Sequence, residues 1–152
     1  ILDMRIALFE PDIPQNTGNI LRTSACLGID VEIIGPTGFI IDDKRFRRAA
    51  MDYINYVNYT IHVDWKSFYN WSLDNNYRLI LLTTKSKNNY TKYNFQNDDI
   101  LIFGKESAGV PNFVHECVNK KITIPIKEKL RSMNVSSAVA MVVGEAQRQL
   151  KT

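Results

Sequence analysis

Apolar residues fall along this chain in short continuous runs separated by stretches of helical period. The first run, residues 5–9 (Arg-Ile-Ala-Leu-Phe), is followed by Pro11 and Pro14, which end a strand and predict a loop. Asn16 is placed to cap a helix in which Ile20, Leu21, Ala25 and Leu27 recur at helical spacing until Gly28. Residues 31–34, closed by Gly35 and Pro36, predict a second strand, and Asp42 and Asp43 then open a basic helical turn over 44–50, acids at its positive end. A short strand is expected around 56–61, a helix over 65–75 and strands at 79–83 and 100–103. A short helix from Pro111 to near Val118, a strand at 121–124 and a final helix over 135–150 complete the pattern. Strands apolar along their whole length, alternating with helices, predict an α/β fold with a mostly parallel sheet covered on both faces.

Length and composition fit this reading and narrow it. The 152 residues, 45% of them apolar, make one domain over 1–152 that closes its core without staples. Ile1–Asp3 precede Met4 and are expected to be a vector remnant or an unusual N-terminus. Cys26 and Cys117 are far apart and show no metal-ligand spacing; both are expected to be reduced, buried fillers, and no metal is expected. No segment reads as a membrane span or secretion signal, so the expectation is a cytoplasmic protein with no membrane partner. The net charge of +3 makes any nucleic-acid contact a local patch.

The chemistry is expected where loops leave the carboxyl ends of the strands. The chain has no glycine fingerprint for dinucleotides, no phosphate-cradling loop and no nucleophile elbow. Three other polar, glycine-bearing segments stand out: residues 16–22 (Asn-Thr-Gly-Asn-Ile-Leu-Arg), 103–111 (Phe-Gly-Lys-Glu-Ser-Ala-Gly-Val-Pro) and the stretch from Ile124 to Ala138. Gly104 and Gly109 permit close backbone approach, and Glu106 sets a carboxylate beside them. Lys44, Arg45, Arg47 and Arg48 form the densest basic cluster, with Phe46 and Tyr53 near enough in sequence to stack on a base. Each segment alone is also consistent with an ordinary cap, turn or solvated face.

Taken in order, residues 9–22, Asp42–Arg45, Leu82–Lys85, Phe103–Glu106 and Arg131–Asn134 resemble the SPOUT superfamily of methyltransferases, within it the short tRNA wobble-position 2′-O-methyltransferases. The resemblance covers nearly the whole chain and implies a deep trefoil knot at the carboxyl end, whose walls hold S-adenosylmethionine. Carried onto this sequence, it places Leu82, Gly104, Ile124, Ser132 and Met133 on the cofactor pocket, with Glu106 as a charge complement. It makes Asn19, Arg22, Ser132 and Asn134 the catalytic and RNA-positioning residues, and implies a homodimer acting on the tRNA anticodon stem-loop. Lys44, Arg45 and Arg48 are expected to join Arg22 in binding RNA. A guanidinium stays protonated, so Arg22 is assigned to the phosphate and the developing alkoxide rather than to proton abstraction. The final helix departs from the family, with Gly144 and Gln147 where aromatic residues are usual. Another tRNA or rRNA position, or a knotted RNA-binding protein without turnover, are the alternative readings.

Overall fold

The computed structural model describes residues 3–130 and 133–151. Six strands form one sheet: β1 (Arg5–Phe9), β2 (Val31–Ile34), β3 (Tyr59–His62), β4 (Arg78–Leu82), β5 (Asp99–Phe103) and β6 (Lys120–Ile122), in the order β3-β2-β1-β5-β4-β6. Every pairing is parallel, with Leu8 opposite Phe103 and Leu82 opposite Phe103 and Ile122. Among the described residues four α-helices lie between strands, α1 (Pro14–Leu27), α2 (Lys44–Ala50), α3 (Trp65–Asp74) and α4 (Asn112–Cys117), and α5 (Val135–Leu150) follows β6.

The alternation of each strand sorts its side chains onto two faces. Ile6, Leu8, Ile33, Ile80, Leu101 and Phe103 pack with Ile20 and Leu21 of α1, Phe46 of α2 and Val139, Val142 and Val143 of α5. Ala7, Phe9, Ile34, Leu79, Leu81 and Ile102 pack with Trp65 and Phe68 of α3 and Val114 of α4 on the other side. Both faces are therefore dry, which is why the inner strands are apolar apart from Arg5, Arg78 and Asp99 at their starts and the buried Glu32 of β2; at edge strand β3, where one side is open, Thr60 and Ile61 are exposed.

Several boundaries differ from the sequence reading. Helix α1 starts at Pro14 because proline is preset for the first helical position, so Asn16 sits inside the first turn and is not the cap. Residues 51–56 form a 3-10 turn, which delays the third strand to Tyr59. Asp43 does cap α2, accepting from Arg45 N at 2.7 Å. Cys26 is exposed on α1 rather than buried, and Cys117 is half-buried.

The order of the strands reverses direction between β1 and β5. In open parallel sheets such a switch point leaves a crevice at the carboxyl ends, and here the loops after β1 and β5 meet across it.

Candidate active site

A cavity of about 670 Å³ opens at the carboxyl edge of β4, β5 and β6. Its wall includes Leu82, Phe103, Val110 and Ile124 as apolar surface, and Gly104, Glu106, Met133 and Asn134 from the segments singled out in the sequence. The glycines there are sterically required. Gly109 adopts φ +66°, and a Cβ on Gly104 would stand 2.7 Å from Gly109 Cα. The 105–109 loop closes by Gly109 N donating to Lys105 O at 2.9 Å and Lys105 N donating to Gly109 O at 3.1 Å. Backbone amides and carbonyls are thereby brought to the cavity edge with no side chain between, which suits the flat faces and polar edges of a nucleoside.

The β1 loop is latched onto this wall. Glu10, held at φ +43°, pairs with Lys105 Nζ at 3.0 Å. Asp12 N donates to Glu106 Oε2 at 3.1 Å, and Ser107 Oγ donates to Asp12 Oδ2 at 2.5 Å. Burial, and then the neighbouring Asp12, push the Glu106 carboxyl above the usual range, while hydrogen bonding from Glu106 and Ser107 holds Asp12 below it. On the far side, Asn134 caps α5 by accepting from Ser136 N at 2.8 Å and donates through Nδ2 to Asn16 Oδ1 at 3.2 Å. The first and last sequence segments thus touch, 118 residues apart. The β6 rim is fixed by backbone bonds from the loop after β4, including Thr83 N to Ile122 O at 2.9 Å and Thr123 N to Asn88 O at 2.8 Å.

Arg22 and Asn19 do not line the cavity. Both are exposed on α1, and Arg22 lies over the ring of Tyr53, 5.4 Å from its centroid. Tyr53 sits there because α2 presses close on α1: a Cβ on Gly18 would meet Phe46 O at 2.5 Å and Ala49 Cβ at 2.7 Å. The same packing places Lys44, Arg45 and Arg48, all exposed, on the helix that abuts α1. Arg45 is held by Asp43 at 3.1 Å and Arg47 by Asp42 at 2.6 Å; among the described residues Lys44 and Arg48 make no ion pair. Phe46 is fully buried, so it is a core residue and not a stacking platform. Ser132 lies outside the described residues.

Sequence reasoning singled out the segments that hold Asp12, Lys105 and Val110 but gave these residues no role, and it missed His115. Their roles come from contacts across the fold, and only the glycines flanking residues 105–108 gave a local signal. His115 lines the cavity, and burial, with Lys85 and Lys121 nearby, holds its imidazole below the ordinary value. The other histidine, His62, is buried against Glu32 at 2.7 Å beneath α3, where it rests on Phe68 and Trp71 and does not line the cavity. Gln147 donates to Leu27 O at 2.7 Å, tying α5 to the end of α1, while Gly144 is exposed with open space around it.

A doubly covered parallel sheet with a cavity at its carboxyl edge, and an exposed basic face on α1 and α2, defines an α/β protein built to enclose a small ligand and able to meet a polyanion. The model of the SpoU rRNA Methylase family matches residues 3–144, and the chain belongs to that family. It is 48% identical over 145 residues to a tRNA (cytidine(34)-2′-O)-methyltransferase of Beijerinckia indica, covering 95% of this chain and 91% of that one. It is 44% identical to the enzyme of the same name from Escherichia coli K12, covering 97% and 94%. A solved structure concerned with 2-OH methylation of C/U34 on tRNA superposes with TM-score 0.92 at 32% identity, covering 99% of this chain and 97% of that one.

Proposed function

We propose that this protein transfers a methyl group from S-adenosylmethionine to the ribose 2′-hydroxyl of the wobble nucleotide, cytidine or modified uridine, in tRNA. The observation that carries the reading is the convergence on one cavity of residues 82–85, 103–110, 133–135 and Ala138, together with Asn16, in a chain 48% identical to a cytidine(34) enzyme. The cavity volume lies within the range that holds ligands of this size. Leu82 and Ile124 supply apolar faces for the adenine, Gly104 leaves room for backbone contacts, Met133 closes one side, and Glu106 supplies negative charge. Ser132, adjoining Met133, is assigned with them and with catalysis.

S-adenosylmethionine supplies an activated methyl on a sulfonium. The protein's part is placement of the hydroxyl in line with it and stabilisation of the alkoxide charge, with no metal needed. Arg22, exposed and steadied by Tyr53, is suited to grip the adjacent phosphate, with Asn19 one helical turn away. Asn134 orients the start of α1 through Asn16. Lys44, Arg45 and Arg48 extend the cationic surface toward the anticodon stem-loop.

We also infer a trefoil knot, a homodimer and a cytoplasmic location. In support of the first, α5 is pinned both to the connection after β4, by Phe95 N donating to Gln149 Oε1 at 3.0 Å, and to α1 by Gln147. In support of the second, Ser137, Ala140, Met141 and Gly144 make an exposed face on α5. Among the described residues no helix is long and apolar enough to cross a membrane. The test is transfer of labelled methyl to tRNA from cells lacking the activity, followed by nuclease digestion and mass spectrometry. Label on the wobble ribose is the expected result; label on another ribose would change the target, and none despite cofactor binding would leave a binding protein.

A further inference from the structure

Two carboxyl groups meet at the sheet's switch point, on loops 94 residues apart. Asp12 and Glu106 lie within hydrogen-bonding reach of each other. The Asp12 backbone N–H is spent on Glu106 Oε2, and Ser107 Oγ on Asp12 Oδ2. Asp12 Oδ1 is buried, and among the described residues no donor reaches it. A buried acceptor without a donor is costly, and two ionised carboxylates in this contact repel. Both difficulties vanish if the pair holds one proton, carried by Glu106 and donated to Asp12 Oδ1. The upward displacement of Glu106 and the downward displacement of Asp12 agree with that placement. Only Glu106 of the two lines the cavity.

We propose that the Asp12–Glu106 pair is a proton-releasing counter-charge: it holds one proton in the ligand-free protein and loses it when a cation enters the cavity. The pair thereby favours a sulfonium methyl donor over the neutral thioether product as pH rises. The proposal rests on the cavity being the methyl-donor site. The proton leaves Glu106 for solvent, and its carboxylate balances the incoming charge. Once the sulfonium has become a thioether that balance is lost, so the product gains nothing from an ionised pair. The other titratable groups on the described cavity wall are Lys105, neutralised by Glu10, and Lys85 and His115. His115 could also shed a proton to an incoming cation, so it needs its own control.

The test is calorimetric titration of the full chain with S-adenosylmethionine and with S-adenosylhomocysteine from about pH 5 to about pH 8, in buffers of different ionisation enthalpy. In the wild type the donor should release up to about one more proton than the product at the acidic end, and the ratio of its Kd to that of the product should fall by up to about tenfold per pH unit until the pair is ionised. Asp12→Asn, which gives Glu106 an amide donor and removes the second charge, should abolish that difference. Glu106→Gln should do the same, and serves if the first variant fails to fold. Equal proton release for both ligands, or a difference that survives in both variants, would overturn the proposal. So would a difference lost in His115→Asn and kept in Asp12→Asn, which would assign it to the imidazole. If neither ligand binds the folded wild type, the cavity is not the methyl-donor site and both readings fail.

Discussion

The cavity edge and the α1–α2 face differ in what holds them in place. At the cavity the deciding features are backbone: the Gly104–Gly109 approach, the loop hydrogen bonds and the latch from Glu10 and Asp12. On the α1–α2 face they are exposed side chains with few partners, chiefly Arg22 over Tyr53 and the cations of α2. A preformed pocket suits a small ligand that must be enclosed in one orientation, whereas long, solvated cations suit a polyanion whose phosphates complete the geometry. Substitutions should therefore separate cleanly into those that stop ligand binding and those that stop use of RNA.

The largest effect should come from breaking the cavity edge. Gly104→Val forces side-chain atoms into Gly109, whose Cα would lie 2.7 Å from the new Cβ. With about 2 kcal/mol of overpacking, S-adenosylmethionine affinity should fall by about thirtyfold in calorimetry. Unchanged affinity would show that the 104–109 contact does not shape the site.

Neutralising Lys44 and Arg48 together should act only on the other region. If each neutralises one phosphate, the slope of log affinity for tRNA against log salt should flatten by about 1.4, while cofactor affinity stays the same. An unchanged slope would remove α2 from the RNA surface.

Tyr53→Ala should be milder, because a cation–π contact at an exposed site contributes about 1 kcal/mol. A rise in KM for tRNA of about fivefold is expected, with Tyr53→Phe close to wild type since the ring face is kept. Equal defects in the two variants would point to the hydroxyl instead.

The smallest effect concerns pH and stability. His115 is held below its ordinary value of 6.5, so the unfolded chain takes up this proton before the folded one does. Stability from this group should therefore fall as pH drops below about 6.5 and level off once the folded imidazole is also charged. Melting curves at pH 7 and pH 5 should lie slightly closer together for His115→Asn than for the wild type; a wider gap would reverse the sign.

Much of this arrangement was legible in the sequence because local rules and tertiary demands agree. The runs at 5–9 and 31–34 are strands buried on both faces, and Asp43 caps the helix it precedes. Gly104, Glu106 and Asn134 were visible as a glycine turn and a cap before the fold brought them to one cavity. Where the reading failed, a longer-range contact or a stronger local preference decided. Phe46 lies within a basic run yet faces the core with Ala50, one turn apart, so a charged segment hid an apolar stripe. Asn16 is displaced from the cap because Pro14 takes the first helical position and leaves Ile13 as the cap, and it instead meets Asn134. The Asp12–Glu106 contact had no sequence signal, since nothing in the two segments pairs one acid with the other across 94 residues.

The most direct measurement is Arg22→Ala assayed side by side for S-adenosylmethionine affinity and for methyl transfer to tRNA. Because Arg22 lies outside the cavity, affinity should stay within about twofold while transfer falls by about two to three orders of magnitude. A loss of cofactor affinity matching the loss of transfer, or transfer left intact, would contradict the division of the molecule into a preformed ligand cavity and an RNA-gripping helical face.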